Sequence, residues 1–79
     1  MRITVKLFSV MRKYQPELAV GESLSLDVPC GTTTGEVKAL VGIPPAVTVL
    51  AMVSGRVRKP EHVLSDGDAI YLFPPVSGG

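Results

Sequence analysis

The stretch Ala69-Ile70-Tyr71-Leu72-Phe73, running into Pro74-Pro75-Val76-Ser77-Gly78-Gly79, decides how the chain is read. In its first five residues Ile70 and Leu72 take one side and Tyr71 and Phe73 the other, which is the period of a strand. Pro74-Pro75 has fixed φ and favours an extended polyproline path, so it forms a stem. Gly78-Gly79 carries no side chains and reaches backbone conformations closed to other residues. Six residues at full extension span roughly 20 Å. The reading is a folded body over residues 1–73 and an extended, flexible tail over 74–79 whose tip fits a channel too narrow for any other residue. Chain ends often fray, so the diglycine gains meaning only from what precedes it.

Working outward, Ser65-Asp66-Gly67-Asp68 is a tight turn before this strand, with Gly67 as its positive-φ residue. Asp66 and Asp68 imitate a paired-carboxylate site, but flanking a turn glycine they read as turn formers, because Asp bonds its own backbone there. Pro60 to Leu64 reads as loop or a single helical turn, with Val63 and Leu64 as inward anchors. Val47 to Ser54 is apolar on both faces: Val47, Val49, Ala51 and Val53 on one, Leu50 and Met52 on the other. Ser54-Gly55 turns it into a short edge strand, Arg56-Val57-Arg58, protected by its charges.

At the other end, Met1, Ile3, Val5 and Leu7 alternate with Arg2, Thr4 and Lys6, a half-buried strand. Ser9 to Tyr14 forms a short helical turn that stops before Pro16. Ser23 to Val28 alternates again, with Leu24, Leu26 and Val28 inward, so the first two strands make a long-looped hairpin. Gly31 to Gly42 is the one main helix: Thr33 or Thr34 caps it, Glu36 lies in its first turn, and Val37, Leu40 and Val41 form an apolar stripe. Gly42 suits its C-terminal cap and Pro44-Pro45 block continuation.

The order is strand, strand, helix, strand, short strand, strand. One helix has to cover one face of a single mixed sheet of four to five strands. With the first and last strands at its centre, this is an α+β, β-grasp arrangement.

Composition bounds the function. The chain has 79 residues, enough for one small domain. Its 8 basic and 7 acidic residues leave a net charge of +1, which argues against nucleic acid or an anionic membrane as partner. No apolar run reaches the length of a membrane span. The segment Met1-Arg2-Ile3-Thr4-Val5 lacks the features of a signal peptide, so a cytoplasmic location is expected. The single cysteine, Cys30, fits a reducing compartment, and one Cys and one His far apart do not suggest a metal site. Cys30 has no neighbouring His to activate it and reads as incidental. His62 has no carboxylate or cysteine close in sequence and reads as a loop histidine.

Leu64-Ser65-Asp66-Gly67-Asp68 followed by Ile70 through Gly79 closely resembles the end of the MoaD/ThiS family of ubiquitin-like sulfur carriers. The ending Phe73-Pro74-Pro75-Val76-Ser77-Gly78-Gly79 is more similar to MoaD, the small subunit of molybdopterin synthase, than to ThiS. Phe8, Arg12 and Tyr14 after the opening strand are similar to the family's first segment. Ala51-Met52-Val53-Ser54-Gly55 falls where the family has a strand ending in Asn-Gly, with Ser54 in place of the Asn.

The resemblance implies that a MoeB/ThiF-like activating enzyme adenylates the carboxylate of Gly79 with ATP-Mg. A persulfide sulfur then displaces AMP and leaves a thiocarboxylate. A MoaE-like large subunit accepts the tail and passes the sulfur to a pterin precursor of the molybdenum or tungsten cofactor. The chain would bind no cofactor itself and would be a carrier substrate and small subunit rather than a catalyst alone. The chemistry explains the residues: a terminal carboxylate is an anion at neutral pH and a poor electrophile, so it needs activation. A side chain at 78 or 79 would crowd both channel and attack.

If Ile3, Val5, Ala51, Val53, Ile70 and Leu72 face the helix, Leu50, Met52, Tyr71 and Phe73 face outward. That places an exposed apolar, partner-binding patch at the root of the tail, continued by Pro74, Pro75, Val76 and Ser77. Lys6, Arg56 and Arg58 are expected to rim it. A one-residue slip of register would exchange the faces. Three other functions fit the same residues: a carrier supplying thiazole or tRNA thiolation, a ubiquitin-like modifier joined to lysines, and a β-grasp binding module with an inert tail.

Overall fold

The computed structural model describes residues 1–75. Five strands form one mixed sheet: β1 (Arg2–Leu7), β2 (Leu24–Asp27), β3 (Leu50–Val53), β4 (Arg56–Arg58) and β5 (Ala69–Phe73), in the spatial order β2-β1-β5-β3-β4. β1 runs parallel to β5, with Val5 opposite Ile70 and Leu7 opposite Leu72; the other neighbours are antiparallel. The helix α1 (Thr34–Leu40) lies on one face, as a β-grasp requires, and a 3-10 segment, Ser9–Tyr14, follows β1.

The core forms where the alternating apolar residues of the sheet meet α1. Ile3, Val5, Val37, Val41, Ile70 and Leu72 are fully buried. Each such aliphatic side chain contributes about 1.5–3 kcal/mol relative to exposure. α1 starts at a reciprocal cap: Glu36 N–H donates to Thr33 Oγ1 at 3.3 Å, and Thr33 N–H donates to Glu36 Oε1 at 2.9 Å. Gly42, with φ 88°, takes the left-handed turn beyond its end.

The turn before β5 is stitched to β1. Arg2 N–H donates to Asp66 Oδ1 at 2.7 Å, Gly67 N–H to Arg2 O at 2.7 Å, and Ser65 N–H to Asp68 Oδ2 at 2.7 Å. Both carboxylates therefore serve the backbone, and they fix the start of the strand that carries the tail. The side chain of the same Arg2 pairs with Asp27 of the edge strand β2 at 3.0 Å. The hydrogen bond from the guanidinium, and then its charge, hold the Asp27 carboxyl below the usual carboxylate range.

Three expectations are corrected. Leu40 does not belong to the buried stripe; α1 turns Thr34 and Val37 inward, Val41 is buried just past its end, and Leu40 is left 55% exposed. Val63 and Leu64 are not both anchors, because neighbours in an extended segment point opposite ways; Leu64 is buried and Val63 exposed. The strand expected over 47–54 forms only at Leu50–Val53, with Val47 and Val49 packed against the core from a loop. Among the described residues no helix is long and apolar enough to cross a membrane.

Candidate functional site

β5 lies between β1 and β3, so the residue that begins the tail leaves from a strand hydrogen-bonded on both sides. The outer face of the sheet at that end is built in two rows. Lys6, Tyr71, Met52 and Val57 lie side by side across β1, β5, β3 and β4, and Phe73 and Leu50 form the next row toward the tail. Phe8 extends that second row: its N–H donates to Leu72 O at 3.0 Å just past the end of β1. The four expected patch residues are thus brought together on one face.

Aromatic contacts hold the patch in shape. Phe8 stacks on Phe73 with ring centroids 4.7 Å apart and planes 22° apart, and meets Tyr71 edge-on at 5.6 Å and 65°. Lys6 Nζ stands 5.7 Å from the centre of the Phe8 ring. Tyr71 is 40% exposed and Val57 56%, whereas Leu50, Met52 and Phe73 are half-buried. The patch is therefore a preformed surface, with aromatic residues at the tail root and aliphatic residues toward β4.

Beyond Phe73, Pro74 is half-buried and Pro75 exposed. Val76, Ser77, Gly78 and Gly79 lie outside the described residues. Lys6 rims the patch as expected, but Arg56 and Arg58 do not. They sit opposite Val53 and Ala51, both helix-facing, so the two arginines are on the helix side of β4. Val57 takes the place on the outer face. Phe8 and Val57 were missed as patch members. Both were legible in principle: Phe8 continues the parity of Thr4 and Lys6, and a two-residue turn at Ser54-Gly55 fixes Val57 opposite Met52.

Cys30 is exposed, in the loop between β2 and α1. His62 O accepts from Thr34 N–H at 3.0 Å, tying the loop before β5 to the start of α1. Among the described residues no cluster of His, Cys, Asp or Glu has the makeup of a metal site.

A family model described as "ThiS family" matches residues 5–79. Solved structures are similar over the whole chain. SAMP1 of Haloferax volcanii is 27% identical, with all of both chains covered and a TM-score of 0.71. A ubiquitin of Caldiarchaeum subterraneum is 25% identical, with 100% of this chain and 98% of that one covered and a TM-score of 0.60. A chain from the complex of subunits 1 and 2 of the molybdopterin-converting factor of Helicobacter pylori has the same fold at 21% identity, with all of both chains covered and a TM-score of 0.61. No curated protein sequence matches.

Proposed function

The chain belongs to the ThiS family, and from that membership we propose that it is a sulfur carrier acting as the small subunit of a molybdopterin synthase. The observation that carries the reading is the aromatic and aliphatic surface around Phe8, Tyr71 and Phe73, continuous with the start of the tail. A carrier tail has to be delivered into a partner's active site, and a preformed surface at its root gives the partner something to grip while the tail is inserted.

In this reading the Gly79 carboxylate attacks the α-phosphorus of ATP on a MoeB/ThiF-like enzyme, and pyrophosphate leaves. The terminal sulfur of a persulfide attacks the acyl carbon of the adenylate, and AMP leaves. A second thiol then reduces the S–S bond of the acyl disulfide, which frees the thiocarboxylate. Pro74 and Pro75 keep the stem straight through these transfers. The folded body contributes no acid, base or metal; it positions the tail, so the chain is a carrier and not an enzyme by itself. A MoaE-like large subunit receives it, by analogy with the subunit 1 and 2 complex from H. pylori. The site of action is the cytoplasm.

The test is to offer the thiocarboxylated chain to a MoaE-like large subunit with a pterin precursor, and separately to thiazole and tRNA thiolation systems. Sulfur transfer to the pterin alone supports the molybdopterin assignment; transfer only to another acceptor overturns it. A second reading, as a protein modifier, is favoured by the likeness to SAMP1 and to an archaeal ubiquitin. The same adenylate attacked by a lysine amine would give an amide. Lysine conjugates that retain the Gly78-Gly79 remnant would establish it.

A further inference from the structure

On the face opposite the aromatic patch, α1 is too short to cover β3 and β4. A cleft of about 440 Å³ remains between them, floored by Ile43, Val47, Val49 and Leu72 and flanked by Lys38 and Arg58. Small residues, Gly35, Ala39 and Ala51, make up part of its wall. Ala51 leaves space on β3, and Gly35 brings α1 close to Pro60, where an added Cβ would come within 3.0 Å of the proline's own Cβ.

The two cations are held rather than free. Lys38 Nζ donates to Pro45 O at 3.2 Å, and Arg58 Nε donates to Val53 O at 3.3 Å. Among the described residues no acidic side chain lines the cleft. Among the described residues the only ion pair is Arg2–Asp27, at the other edge of the sheet, and neither Lys38 nor Arg58 is paired with a described carboxylate. The cleft also borders β4, whose outer edge has no neighbouring strand among the described residues.

We propose that this cleft is a second docking surface, and that its occupant is an extended segment of a partner protein carrying carboxylate side chains on either side of an aliphatic one. The aliphatic floor takes the central side chain, Lys38 and Arg58 take the carboxylates, and the open edge of β4 suits an extended backbone. Nucleic acid fits less well, because the lining offers no aromatic ring for a base to stack on. The cleft and the patch lie on opposite faces, so one partner engages the tail root while another holds the body.

The test uses the full chain, labelled for NMR, titrated with a blocked pentapeptide of sequence Asp-Ser-Val-Ser-Asp. Its first, third and fifth side chains share one face when extended. A counterpart with lysines in place of the aspartates is the control. The expected result is saturable shifts at Lys38, Val47, Val49 and Arg58 with the acidic peptide alone, weakened severalfold by raised salt. Lys38→Glu and Arg58→Glu are each expected to weaken binding at least about fivefold, a loss of roughly 1 kcal/mol. Should Arg58→Glu fail to fold, Lys38→Glu and the salt series decide. No shifts in the cleft, an equal response to the lysine peptide, or shifts confined to Tyr71, Met52 and Phe73 would overturn the proposal.

Discussion

The Phe8 ring lies stacked on Phe73 at a centroid distance of 4.7 Å, so the residue just past β1 braces the last residue of β5, from which the tail departs. Through that pair the direction in which the tail leaves is coupled to the shape of the outer face. Phe8→Ala is expected to cost stability on the order of 1 kcal/mol beyond the lost burial. It should slow thiocarboxylate formation about tenfold or more. Leu50→Glu and Phe73→Glu should fold, as judged by circular dichroism, and lose partner binding by titration calorimetry. Unfolding of both would contradict the assignment of these side chains to the outer face.

Gly78→Ala should leave Tm unchanged and depress both formation and transfer of the thiocarboxylate. An added methyl group crowds a channel built for glycine without touching the core. Unchanged rates in that variant, measured in single turnover, would argue strongly against a threaded tail.

The turn between β3 and β4 offers a test that is independent of function. Ser54 has φ 53° and Gly55 φ 77°, the left-handed pair that a two-residue hairpin demands and that Asn-Gly satisfies best. Ser54→Asn should raise stability by a few tenths to about 1 kcal/mol, and Tm by roughly 1–8 °C. Gly55→Ala should lower it by about 1 kcal/mol, since its added Cβ meets nothing within 4 Å and the cost is backbone strain alone.

Thr33→Ala removes half of the reciprocal cap on α1 and should cost about 1 kcal/mol. Native-state hydrogen exchange should speed up first at the amides of the first turn of α1. Equal acceleration across β1 and β5 would mean that α1 does not open independently of the sheet.

The sheet was legible because its strands alternate cleanly. The bounds of β4 and β5, the 3-10 segment after β1 and the positive φ of Gly67 all follow from local chemistry. What failed to follow was set by tertiary parity. Leu40 satisfies an i, i+3 spacing from Val37, yet Thr34 occupies the inward position instead, its hydroxyl donating to Lys59 O at 2.6 Å. A polar residue at the core is invisible to a search for apolar stripes. Arg56 and Arg58 looked like a rim because they are charged; the hairpin register sends them to the helix side, where one of them flanks the cleft. The tail was legible only as a motif, since four of its residues, Val76 to Gly79, lie outside the described ones.

The most direct measurement is the intact mass of the protein after incubation with an activating enzyme of the family, ATP-Mg and a sulfur donor. A gain equal to exchanging one oxygen for sulfur, abolished when Gly79 is deleted, is the predicted result. No change in mass, with the same enzyme active on another carrier, would contradict the sulfur-carrier account.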